Sequence, residues 1–199
     1  MAAAELAEIA DDPDSAVKWR SAAEDMYAAA HKHLYNPDRK AFYKGLTVKD
    51  GEIIKNDTFD NSSFFGAFMF GLFPVDSEEI KQTFQTLRTV FGMNDSQIGL
   101  PRYENDMYFR HENLPPNWWP ITSLWLAQYH IELGETDETK RILAWVKDHS
   151  SSTGIMSEQL NPSNGERMSV EPHPWRHAKF IHFTLTSIPY STKSRHDTT

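Results

Sequence analysis

Trp119-Pro120-Ile121-Thr122-Ser123-Leu124-Trp125-Leu126-Ala127-Gln128-Tyr129-His130-Ile131-Glu132-Leu133 is apolar or aromatic nearly all round when wound as a helix. Such a helix has no solvent face, so it belongs among other helices. Pro120 suits a first-turn position. Gly134-Glu135 then makes a short turn into residues 136–149, where Ile142, Trp145 and Val146 form one apolar stripe on a charged helix.

The same pairing recurs along the chain. Residues 60–73 and 175–188 also read as apolar nearly all round, opened by Asp60 or Asn61 and by Pro174. Residues 15–34 carry a stripe at Trp19, Ala23, Met26, Tyr27, Ala30 and Leu34, and residues 77–92 one at Ile80, Phe84, Leu87 and Phe91. Amphipathic and buried helices therefore alternate three times, with a repeat of roughly 60 residues. Short turns, Pro74-Val75-Asp76 and Gly134-Glu135, lead from buried to amphipathic helices, whereas the long segments 35–59, 93–118 and 150–174 lead the other way. Loops of that length in a compact helical protein are usually functional. Alternating helix directions place all three at one end. The first holds a β-hairpin over Phe42 to Ile54 that turns at Asp50-Gly51.

The expected fold is all-α: three helical hairpins, half of an (α/α) toroid, with one small β-hairpin. The expected domain runs over 15–190, between a tail at 1–14 and a disordered polar tail at 191–199. An ordinary six-helix bundle is the alternative; the unequal loops and two kinds of helix favour the toroid.

Composition narrows the function. The net charge of −8 comes without a basic block, which argues against a nucleic-acid partner. The most apolar window, Phe64 to Phe73, is far short of the roughly 20 residues that span a bilayer, so no membrane partner is expected. There is no cysteine, which removes thiol nucleophiles and zinc–thiolate sites. Met1-Ala2-Ala3-Ala4-Glu5-Leu6 lacks the pattern of a signal peptide, and a cytoplasmic location is the expectation. His31 and His33 are two apart on a helix and diverge, and His173 and His177, although four apart, are separated by Pro174, so no metal or cofactor is expected.

The long loops carry the chemistry. Gly99-Leu100-Pro101-Arg102-Tyr103-Glu104 offers a guanidinium beside a ring, with Glu104 or Asp106 to orient it. Trp118, Trp119 and Trp175 stand where loops enter buried helices, positions that suit either core packing or stacking on a sugar ring. Glu158, in Ser157-Glu158-Gln159, can activate a water as a general base. By local sequence alone it reads as a solvated turn glutamate.

In this order and spacing, the segments from Asp57 to Ile188 resemble the C-terminal half of glycoside hydrolase family 15, the glucoamylase-like family. Arg102-Tyr103-Glu104-Asn105-Asp106 looks like that family's arginine loop. Asn117 to Leu126 looks like its Asn-Pro-Trp-led helix, with Trp-Trp-Pro in place of the usual order. Gly154 to Gly165 looks like the loop of the catalytic base, and Trp175-Arg176-His177-Ala178 like the last tryptophan-led helix. The resemblance implies an inverting exo-acting α-glucosidase that releases glucose from maltooligosaccharides, dextrans or trehalose without a metal or cofactor. It implies Glu158 as general base, Arg102 as the grip on the terminal glucose, and Trp118 and Trp175 as linings of the cleft; Tyr103 and Trp119 beside them are further candidates for binding substrate. The family's general acid lies in the N-terminal half of a full (α/α)₆ toroid, which has no counterpart here. The implied partners are an α-glucoside or oligosaccharide substrate and a second half of the toroid, or a further copy of the chain. A non-catalytic glucan- or partner-binding half toroid is the competing reading. Terpene-processing toroids, a third, would need an aspartate-rich motif that is not present.

Overall fold

The computed structural model describes residues 1–94 and 96–187. These residues are mostly helical, with three two-stranded antiparallel ribbons, and the chain divides into two compact units, Met1–Asp95 and Ser96–Thr199.

The first unit opens with α1 (Ala2–Ile9), which packs on α2 (Pro13–His33). Residues 1–14 are therefore not simply a tail. Their alanine-rich start is a strong helix former, and Ala4 is fully buried. Asp12 caps α2 by accepting from the Ser15 amide at 3.1 Å, and Pro13 occupies the first turn. The stripe expected along α2 does not become core: Trp19, Met26 and Tyr27 are exposed.

After α2 come β1 (Tyr35–Asn36) and β2 (Ala41–Phe42), then β3 (Gly45–Lys49) and β4 (Glu52–Asn56). The β3–β4 hairpin turns at Asp50-Gly51 as expected, with φ of 52° and 81°, the left-handed pair that a two-residue hairpin turn requires. Phe42 belongs to the preceding ribbon instead. Asp60, rather than Asn61, caps α3 (Asn61–Met69), accepting from the Ser62 amide and hydroxyl at 2.8 and 2.6 Å. Ser77 caps α4 (Glu78–Val90). The core of this unit is aromatic: Phe42, Phe59, Phe64 and Phe73 are buried with Ile80 and Leu87. Ring pairs 5.0–5.6 Å apart link Phe42 to Phe73, Phe64 to Phe68 and Phe59 to Phe91.

The second unit is built on α5 (Pro120–Glu132), which packs against α6 (Thr136–Asp148) and α7 (Pro174–Ser187). As the sequence predicts, α5 is buried almost throughout. Leu124 meets Val146 and Met156, with Leu143, Trp145 and Phe180 around them. Burying each large aliphatic side chain stabilises the unit by about 1.5–3 kcal/mol. The polar residues of α5 are partnered as burial demands: Gln128 donates to Glu132 at 2.8 Å, and His130 Nδ1 lies 2.6 Å from Glu135.

The last helix departs from expectation. Only Arg176 and Phe183 of its described side chains are buried, while Trp175, Ile181 and Leu185 are more than half exposed. One side of α7 lies on α5 and, through Phe180, on the cluster of Val146 and Met156, while the Trp175, Ile181 and Leu185 side remains open among the described residues. Residues 191–199 lie outside the described residues, as does the end of the stretch predicted as 175–188. No described helix is long and apolar enough to cross a membrane.

Candidate functional site

The start of α5 holds two loops in place. Trp119 donates its amide to the Leu100 carbonyl at 2.7 Å, and the Thr122 and Ser123 hydroxyls donate to the Leu100 and Ile98 carbonyls at 2.6 and 3.1 Å. The arginine loop is thereby fixed to the first turn of the helix. On the other side, Trp118 and Leu160 exchange amide–carbonyl bonds at 3.0 and 2.8 Å, and Asn117 donates to Gln159 at 2.7 Å. Residues 117–119 thus sit between the arginine loop and the loop of Glu158.

That second loop is narrow and well tied. A ribbon pairs β5 (Gln159–Leu160) with β6 (Arg167–Met168), and the Glu158 amide donates to the Val170 carbonyl at 2.8 Å. His177 Nε2 accepts from the Met156 amide at 3.2 Å while its Nδ1 donates to the His173 carbonyl at 3.0 Å. Those two bonds fix the ring's tautomer and make His177 a pin between loop and helix rather than a metal ligand. No cluster of metal-ligating side chains occurs among the described residues.

These ties gather the polar and aromatic side chains of the two loops around the head of α5. The Glu158 side chain is 14% exposed; its Oε2 accepts from the Ser169 hydroxyl, and its Oε1 lies 3.7 Å from His173 Nε2. Arg102 forms a two-pronged pair with Asp106, at 2.7 Å from Nε to Oδ2 and 2.9 Å from Nη2 to Oδ1. Asp106 is buried and also accepts from the Tyr108 amide at 3.1 Å. Asp106, not Glu104, therefore aims the arginine. The Arg102 guanidinium lies over the Trp119 ring, 4.0 Å from its centre, with Tyr103 and Tyr108 rings at 5.2 and 5.1 Å. Arg176 lies over the same Trp119 ring at 5.3 Å, and its Nη1 donates to the Ser157 carbonyl.

The two arginines differ electrically. The hydrogen bonds from Asp106 raise the Arg102 pKa above its usual value, against a smaller opposing effect of burial. Burial pushes Arg176 down to about 9, with Glu158 pulling the other way. Both stay charged at neutral pH. His173 is lowered, chiefly by burial and then by Arg176, with Glu158 opposing, so it is neutral there.

The other tryptophans have their own settings. Trp118 packs so closely on Gly99 that a Cβ at that glycine would stand 2.2 Å from the indole, and its ring centre lies 6.0 Å from that of Trp145 in an edge-on pair. Trp175 is mostly exposed, 6.1 Å from Trp125 and 6.4 Å from His173. Of the residues singled out from sequence, Glu158, Arg102, Tyr103 and Trp119 belong to one cluster, while Trp118 is held by packing. Sequence reasoning missed Arg176 and His173, although Pro174-Trp175-Arg176 at a helix start was the available signal.

No protein-family model matches the chain, and no curated protein matches it. Solved structures do. A wild-type glycosidase aligns with a TM-score of 0.66 at 20% identity, and a glutamate-to-alanine glycosidase variant with 0.70 at 18%. A further glutamate-to-alanine glycosidase variant, in complex with glucose, aligns with 0.66 at 20%. In each case the likeness covers 94% of this chain and 49% of the other. At such identities what is shared is the helical fold. The chain spans about half the length of the glycosidases it resembles in structure.

Proposed function

We propose that this chain is the base-bearing part of an inverting, exo-acting α-glucosidase of the glucoamylase-like kind. It would form half of an (α/α)₆ toroid and release glucose from α-glucosides such as maltooligosaccharides, dextrans or trehalose. The observation that carries this reading is a largely buried glutamate, held by a serine hydroxyl, in the electrostatic reach of two arginines that share one tryptophan ring.

Each part has a chemical use. Ser169 occupies Oε2 and turns Glu158 so that Oε1 can take a proton from the attacking water. Asp106 engages Nε and Nη2 of Arg102, leaving Nη1 to grip hydroxyls of the terminal glucose. Tyr103, Trp118, Trp119 and Trp175 would form the walls of the cleft. Inversion needs a second carboxyl group about 6.5–9.5 Å from the first, with room for a water between. Asp106 does not qualify, since it is buried and committed to Arg102. The general acid would come from the other half of the toroid, and the chemistry requires no metal.

Glu158→Gln should lower turnover of maltotriose by about 10²–10⁴-fold in the complete enzyme, with glucose affinity retained. Near-normal turnover in that variant would remove Glu158 from the role.

A second reading keeps the cleft without the reaction: a glucan- or partner-binding half toroid. The commitment of Asp106 and the uncovered face of α7 favour it. The two readings part on whether any chain that completes the toroid supplies a carboxylic acid facing Glu158.

A further inference from the structure

The imidazole of His173 faces the carboxylate oxygen of Glu158 that Ser169 does not engage. Ser169 donates to Oε2, while Oε1 lies 3.7 Å from His173 Nε2. Both residues are fixed through their backbones. His173 donates its amide to the Met156 carbonyl at 3.2 Å, and its own carbonyl accepts from the Arg176 amide at 3.2 Å and from His177 Nδ1 at 3.0 Å. The Glu158 amide is tied to the Val170 carbonyl at 2.8 Å. The notch between Oε1 and Nε2 is therefore preorganised. It is also reachable, since the His173 and Glu158 side chains keep 21% and 14% of their exposure.

The ring proton of His173 has one favourable place. Burial, with Arg176 adding to it and Glu158 opposing, lowers the pKa, so the ring is neutral and carries a single N–H. Nδ1 is buried and has no hydrogen-bond partner. A proton there would bury an unpaired donor, whereas a proton on Nε2 points towards a carboxylate oxygen.

A separation of 3.7 Å is too long for a direct hydrogen bond and suits a shared water. A water oxygen about 2.8 Å from each atom spans it. That water gives one hydrogen to Oε1 and accepts the Nε2–H of His173, which leaves its other lone pair to attack. We propose that His173 is a further catalytic residue, the second anchor of the water that Glu158 activates. The inference rests on the reading of Glu158 as general base. In the step, the water oxygen bonds to the anomeric carbon and its proton passes to Oε1. The glycosidic C–O bond breaks, and the leaving oxygen takes a proton from the general acid. His173 gives up no proton; it fixes the direction of the attacking lone pair. Neighbouring groups are occupied elsewhere: His177 through both ring nitrogens, Ser169 on Oε2, and Arg102 Nε and Nη2 on Asp106.

Nitrogen NMR of the His173 ring in the unsubstituted chain tests the geometry without any turnover. The Nε2–H tautomer is expected, and an Nδ1–H tautomer would overturn the proposal. Kinetics of the complete enzyme test the role. A glutamine places its amide N–H near the Nε2 position, and an asparagine near Nδ1. His173→Asn should lower kcat on maltotriose by about 10²-fold with KM unchanged, and His173→Gln should recover most of that loss. A merely structural histidine would not separate the two amides, so equal losses, or a change in KM alone, would overturn the proposal. Should His173→Asn not fold, the tautomer of the unsubstituted chain still decides. Near-normal turnover in Glu158→Gln would remove the base and this role with it. Loss in Glu158→Gln but none in a folded His173→Asn would remove His173 alone.

Discussion

Helices α5 and α7 read alike in sequence and end in different surroundings. Both follow a tryptophan–proline or proline–tryptophan step, and both are apolar on nearly every face. Yet α5 is enclosed by α6, α7 and the arginine loop, while α7 leaves Trp175, Ile181 and Leu185 open. An all-round apolar helix reports a need for cover, not who provides it. An open last helix is what the proposed half toroid would present to its second half.

Substitutions can break or sharpen this contrast. Leu124→Ala in α5 removes a side chain that is 0% exposed and sits in the core cluster, and should cost about 2–5 kcal/mol in urea unfolding. Leu185→Ala in α7, at 55% exposure, should stay within about 0.5 kcal/mol. Equal losses would mean that α7 is covered after all.

Next in size is Gly99→Ala. The added methyl would collide with Trp118 ring atoms 2.2–2.6 Å away, so the indole or the loop must move. A loss of about 1–3 kcal/mol and a shifted tryptophan emission are expected, because both loops at the head of α5 hang on this contact. An unchanged spectrum and stability would show that Trp118 is not held there.

The smallest effect is that of His173. Its folded pKa lies below the unfolded value of about 6.5, so the unfolded chain binds this proton more readily. The stability it contributes is complete above about pH 6.5 and is lost as the pH falls from there through the lowered folded value. Replacing it, as in His173→Gln, should flatten the dependence of unfolding free energy on pH over that window. A slope identical to that of the unsubstituted chain would contradict the assigned direction.

Much of the frame was legible in the sequence. Helical periodicity located α2 to α7, the Asp50-Gly51 turn appeared where two left-handed residues were needed, and Gly134 closed α5. Side-chain placement was less legible. The α2 stripe at Trp19, Met26 and Tyr27 shows that spacing marks a face without showing that anything covers it. Periodicity is likewise silent on loop contacts. Nothing in Arg102-Tyr103-Glu104-Asn105-Asp106 chooses between two carboxylates; the loop's backbone does, by burying Asp106. Arg176 was hidden because a charged residue in an apolar helix reads as exposed unless a distant carbonyl, here that of Ser157, is known to meet it.

The most direct test of the central claim is proton NMR of the products formed from maltotriose when this chain is combined with a half toroid carrying the general acid. β-Glucose should appear first and mutarotate, and the signal should vanish with Glu158→Gln. Release of α-glucose, or β-glucose release that survives Glu158→Gln, would contradict an inverting site built on this residue.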